Sequence, residues 1–171
     1  MDGSDDRQQY SKIPTIEDLV ALCRHLNTHQ VKYVVVGGLA VIRFGYIRAT
    51  GDIDLLVEDS PENIEKLRKA LSYLPDGEAD QIDDTDLSRY RVVRVSGEIT
   101  VDLIAKACEV TFIETENHIL YDEIDDVIIP YLKPSMLIKT KLGVRPKDIQ
   151  DRNFLQRLIE QDKNHFGGEK A

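Results

Sequence analysis

Residues 34 to 57 read VVVGGLAVIRFGYIRATGDIDLLV, and few folds accept such a run. An apolar, β-branched segment stops at Gly37-Gly38, a short amphipathic segment follows, and a second apolar run opens with Asp52-Ile53-Asp54. The pattern predicts strand, glycine turn, helix, strand. Side chains alternate along a strand, so Asp52 and Asp54 project from one face while Ile53 and Leu55 project from the other. Two carboxylates side by side repel unless a cation lies between them. Mg²⁺ (or Mn²⁺) meets that need, because it takes one or two protein carboxylates and fills its octahedron with water and phosphate oxygens. Gly37 and Gly38 have no Cβ, so their backbone can approach a ligand closely, and a helix starting near Leu39 aims free N–H groups at an anion. A phosphate chain held at the glycines would reach a metal held at the aspartates. A lone Gly-Gly is commonly a turn and a lone Asp-x-Asp a solvated strand end. Their occurrence together, in this order, with Arg48 and Thr50 just ahead of the pair, is what narrows the reading.

The rest of the composition sets bounds. The chain has 171 residues, 42% of them hydrophobic and 31% charged, which suits one domain with a real core. No apolar run approaches a membrane span and the first residues, MDGSDDRQQY, are acidic and polar, so a cytoplasmic protein without membrane attachment is expected. The formal net charge of -9 argues against nonspecific nucleic-acid binding, so any RNA contact would use a local basic patch. Cys23 and Cys108 lack metal-ligand spacing, and Cys23 falls on an apolar helical stripe as a small core residue.

In chain order, residues 1–12 read as a disordered leader, 13–162 as a single domain and 163–171 as a frayed tail. Thr15 is the expected N-cap of a first helix with Ile16, Leu19, Val20, Cys23 and Leu26 at helical spacing. His25 and His29 lie four apart, a spacing that can bind metal, but no third ligand is near and a polar outer face is the better reading. Ser60-Pro61-Glu62 opens a helix that ends at Pro75-Asp76-Gly77. The acidic run 76–88 lacks the ligand pattern of a calcium loop and reads as a solvated loop. Tyr90 to Val95 and Ile99 to Ile104 flank a turn as an antiparallel hairpin. The second flank carries Asp102 inside an apolar strand. Burying an unpaired carboxylate costs several kcal/mol, so Asp102 either faces solvent at an edge or meets a cation.

A short helix is expected over 109–116, then strand-like pieces around Ile119 to Tyr121 and Val127 to Tyr131. A helix from Pro134 contains Leu137, Ile138 and Leu142, and a last helix from Pro146 has Ile149, Phe154, Leu155, Leu158 and Ile159 as its apolar stripe. Lys147, in that helix's first turn, opposes the dipole. With Arg145, and Lys141 about a turn back, it would make a cationic patch for nucleotide phosphates, held by Asp148 and Asp151. The alternative is a surface salt-bridge cluster of little consequence.

Gly-Gly, Asp-x-Asp and the later Asp102 together resemble the nucleotidyltransferase superfamily of polymerase-β-like enzymes. The run Lys141-(x)3-Arg145-x-Lys147-Asp148-(x)2-Asp151 is similar to the C-terminal motif of the small AbiEii-like proteins of type IV toxin/antitoxin systems. The resemblance covers about residues 15 to 160. It implies an α/β (α+β) nucleotidyltransferase fold, a mixed sheet flanked by helices and followed by C-terminal helices. It also implies Asp102 as a third carboxylate beside Asp52 and Asp54, and transfer of a nucleoside monophosphate from a nucleoside triphosphate to an acceptor hydroxyl on RNA or tRNA, protein or a small molecule. A cognate antitoxin is the implied partner. Many members carry Gly-Ser where this chain has Gly37-Gly38, so phosphate binding there would rest on backbone N–H groups.

Two other classes compete. Phosphatases of the haloacid dehalogenase type also use Asp-x-Asp, but with a threonine two residues beyond the second Asp. That position is Leu56 here, and the Gly-Gly goes unexplained. The nearer rival is a catalytically weak or inactive nucleotidyltransferase-like module that binds or regulates.

Overall fold

The computed structural model describes residues 11–75 and 77–166. Helix α1 (Ile16–Thr28) starts at Thr15, whose hydroxyl accepts from Asp18 N–H while the Asp18 carboxylate accepts from Thr15 N–H, a reciprocal cap. Strand β1 (Tyr33–Val36) runs straight into helix α2 (Gly37–Arg43), and β2 (Asp52–Val57) returns beside it. Helix α3 (Pro61–Leu71) is capped by Ser60, with proline in its first turn. Then come α4 (Asp86–Arg89), β3 (Val93–Val95), β4 (Thr100–Ile104), the short pair β5 (Lys106–Ala107) and β6 (Val110–Thr111), and α5 (Phe112–Thr115). The hairpin β7 (Ile119–Ile124) and β8 (Val127–Leu132), α6 (Pro134–Leu137) and α7 (Pro146–Phe166) complete the fold.

Six strands form one mixed sheet in the order β3-β4-β2-β1-β8-β7. Strand β1 lies antiparallel to β2 and parallel to β8, and β2 lies parallel to β4. All four residues of β1 and the last three of β2 are buried, as expected for central strands covered on both faces. Helices α1 and α3 pack on each other, with α1 also against β8, while α2 lies on β1 and β2 and meets α6 and α7. Cys23, Leu22 and Leu26 from α1 join Leu55, Leu56, Leu67 and Leu103 in one core.

Several local expectations change. Ser11 and Lys12, the last two residues of the stretch read as leader, are tied to the β3–β4 turn, through Ser11 Oγ–H to Gly97 O and Lys12 N–H to Glu98 O; residues 1–10 lie outside the described residues. At the other end α7 runs to Phe166, past the predicted fraying point, and 167–171 lie outside the described residues. The acidic loop contains a 3-10 turn at Glu78–Gln81 and α4, while Asp76 lies outside the described residues. The first hairpin strand is shorter than Tyr90 to Val95, and the predicted 109–116 helix is only α5, because Val110–Thr111 pairs with Lys106–Ala107. The helix from Pro134 tightens into a 3-10 turn at Ile138 and ends by Thr140, leaving Leu142 exposed; Ile149 is exposed too. His25 stacks on Tyr73 with ring centroids 3.9 Å apart, and His29 Nδ1 lies 3.0 Å from His25 O, so the pair serves packing and helix capping.

Candidate active site

The β2–β4 register sets the site. Parallel pairing brings Asp54 opposite Asp102 and Asp52 opposite Thr100, so the three aspartates lie on one face of two neighbouring strands. They line a cleft of about 450 Å³ together with Gly37, Arg94, Lys141, Arg145 and Asp148. Gly37 closes one end. Its φ of +66° is left-handed, and a Cβ there would overlap the Asp54 carboxylate, so glycine is required twice over.

Asp54 is half-buried, and desolvation first, then the Asp102 charge, push its pKa up to about 6 against an ordinary value of 3.8; Lys141 and Arg94 pull the other way. Among the described residues no donor or cation hydrogen-bonds or ion-pairs with it. Asp102 is in the opposite situation. Arg94 Nε donates to Asp102 Oδ1 at 2.8 Å and Nη2 to Oδ2 at 2.9 Å, a fork that engages both oxygens. The same Nη2 reaches Asp52 Oδ2 at 3.4 Å. These carboxylates hold the Arg94 pKa above its usual range. Of the two settings open to Asp102, meeting a cation is the one realised: it is buried at 6% exposure, and the cation is a side chain.

Arg94 was not among the residues singled out from the sequence. A signal existed, since antiparallel pairing of the predicted hairpin places Val95 opposite Val101 and Arg94 opposite Asp102.

The second wall is built from the C-terminal cluster. Asp151, fully buried, receives Arg48 Nη2 at 2.9 Å and Lys141 Nζ at 2.9 Å. Arg48 Nε also lies 2.9 Å from Asp151 Oδ1, close enough for charge pairing but not aligned as a hydrogen bond. Two cations on one carboxylate leave a positive excess, and Lys141 carries it to the cleft. Arg152 fixes the backbone there by donating to Lys141 O and Gly143 O. Arg145 pairs with Asp148, Nε to Oδ2 at 2.9 Å, which depresses the Asp148 pKa.

Gly38, Arg48 and Thr50 stand behind the cleft. A Cβ on Gly38 would come within 2.7 Å of Thr50 Oγ1 and 2.8 Å of Arg48 Nη2, so this glycine is what lets the Arg48–Asp151 pair close against α2. Lys147 is exposed and does not line the cleft.

Asp52, Asp54 and Asp102 offer an oxygen-only donor set on an open cleft, and among the described residues Asp54 ion-pairs with no cation. That chemistry suits a hard divalent ion such as Mg²⁺ or Mn²⁺. Among the described residues no three His, Cys, Asp or Glu side chains converge as a metal-holding cluster; the Arg94 guanidinium stands on Asp102 and reaches Asp52.

No family model matches the chain, and no curated protein matches it. Solved structures do. A candidate nucleotidyltransferase from Thermotoga maritima superposes with a TM-score of 0.50 at 13% identity, covering 96% of this chain and 99% of its own. An antigenic nucleotidyltransferase-like protein from Paracoccidioides brasiliensis gives a TM-score of 0.52 at 17% identity, covering 82% of this chain and 74% of its own. With a six-stranded mixed sheet between helices and a long C-terminal helix, the chain has the nucleotidyltransferase fold.

Proposed function

We propose that the cleft transfers a nucleoside monophosphate from a nucleoside triphosphate to an acceptor hydroxyl. The observation that carries this reading is the Asp54–Asp102 register, which aligns three aspartates opposite a wall bearing Lys141 and Arg145. Asp52 and Asp54 would hold Mg²⁺ or Mn²⁺, with Asp102 joining them or serving as base. The ion, when bound, supplies charge neutralisation between the triphosphate oxygens. Lys141 and Arg145 stabilise negative charge on the phosphates, as fixed cations do in phosphoryl-transfer sites. Gly37 lets the backbone approach the phosphate chain. Asp148 and Asp151 aim these cations, and Arg48 and Thr50 brace the turn. Asp102 takes the proton of the acceptor hydroxyl as its oxygen bonds to the α-phosphorus; the bond to the bridging oxygen breaks and pyrophosphate leaves.

The likeness of the run Lys141-(x)3-Arg145-x-Lys147-Asp148-(x)2-Asp151 to the C-terminal motif of AbiEii-like proteins, with all but Lys147 lining or backing this cleft, favours a toxin acting on RNA, tRNA or protein and restrained by a cognate antitoxin. A second reading, a nucleotide-binding module without transfer, is favoured by the Arg94 fork, which already neutralises Asp102. Incubation with each α-labelled triphosphate, Mg²⁺ and total cellular RNA or protein decides between them. Label on an acceptor, lost in Asp54→Ala, supports the enzyme; no label on any acceptor supports the binding module.

A further inference from the structure

Arg94 sits on β3, the outermost strand of its side of the sheet, and its side chain is 56% exposed. Asp102 sits on β4, paired on both sides, and its side chain is 8% exposed. Of the two, only the arginine has room to move. Its fork uses both Asp102 oxygens while Nη2 reaches Asp52, so one guanidinium covers the two carboxylates that flank Asp54 in space. Taking it away leaves a buried carboxylate without its partner, which is strongly unfavourable unless another cation arrives. A guanidinium and a divalent ion therefore compete for the same oxygens.

Released from Asp102, the guanidinium remains at the cleft that Lys141 and Arg145 line, and its planar fork matches phosphate as well as carboxylate. We propose that Arg94 is a tethered competitor for the divalent ion that Asp52 and Asp54 would hold with Asp102, occupying the Asp52 and Asp102 oxygens, and that a nucleoside triphosphate relieves the competition by accepting the guanidinium on its phosphates. The proposal rests on the metal-dependent transfer reading. It adds an order of events: the ion binds weakly alone and tightly together with nucleotide.

Mn²⁺ titration, followed by the electron paramagnetic resonance of the free ion, tests this without turnover. Arg94→Ala, and Arg94→Gln as the variant that keeps a hydrogen-bond donor for Asp102, should bind Mn²⁺ about ten-fold or more tightly than wild type when nucleotide is absent. A non-hydrolysable triphosphate should tighten Mn²⁺ binding in wild type and narrow the gap to the variants. Adding Asp54→Asn to Arg94→Gln should abolish the tightened site, which separates it from surface carboxylates. Equal or weaker Mn²⁺ binding by the folded Arg94 variants, including no binding by any of them, overturns the proposal, as does a tightened site that survives Asp54→Asn. If wild type still transfers label in that case, the transfer reading stands alone; if it neither transfers label nor binds Mn²⁺, both fall.

Discussion

Asp54 is the residue where the proposed function and stability pull apart. Its folded pKa, about 6, lies above the ordinary 3.8, so the folded state holds the proton more readily than the unfolded chain. The group therefore favours folding below about pH 3.8 and opposes it as pH rises through 6. Asp54→Asn, measured by urea unfolding with chelator present, should stabilise the protein at pH 7.5 by on the order of 2 to 3 kcal/mol. The gain should fade between pH 6 and 4 and vanish near pH 3.8. Gly37 has the opposite character. Gly37→Ala must adopt a left-handed φ and push into Asp54, and should cost about 2 to 4 kcal/mol in the same assay. Both residues were legible in the sequence because Gly-Gly and Asp-x-Asp are local patterns. Arg94 was not read, because its meaning depends on the residue across the hairpin. Asp102 alone calls for solvent or a cation, and only the pairing across the hairpin names that cation as Arg94.

At the scale of elements, the Arg48–Asp151–Lys141 cluster ties the segment before β2 to α7. Removing Asp151 leaves two mostly buried cations facing each other, Lys141 at 7% exposure. Asp151→Ala should therefore cost about 3 to 5 kcal/mol in urea unfolding, well beyond the loss from a surface pair such as Lys66–Glu62. The sequence motif pointed to these residues together, yet it could not say that Asp151 is buried between two cations while Lys147 is left in solvent. Spacing along a helix gives faces, and which face is covered is decided by distant chain. The β7–β8 hairpin illustrates the same limit. Its turn places Asp125 and Asp126 at φ 51° and 62°, a conformation usually marked by Asn-Gly or Asp-Gly, so the strands were visible and their pairing was not.

For the molecule as a whole, the fold class was readable because strand, turn, helix and strand occur within 24 residues and force the start of a central strand to carry charge near a glycine turn. The order of the outer strands and the short β5–β6 pair were not, since they depend on pairing between segments far apart in sequence. The whole architecture serves one arrangement: acids from two parallel strands on one wall, cations from the C-terminal segment on the other, glycine between. Pyrophosphate release from each nucleoside triphosphate, with Mn²⁺ and total RNA or protein as acceptor, tests that arrangement most directly when wild type is run beside Asp54→Asn. Release by wild type, and none by a variant that is at least as stable, is the predicted result. Equal release by the two proteins, or none by wild type with any triphosphate and acceptor, would contradict it.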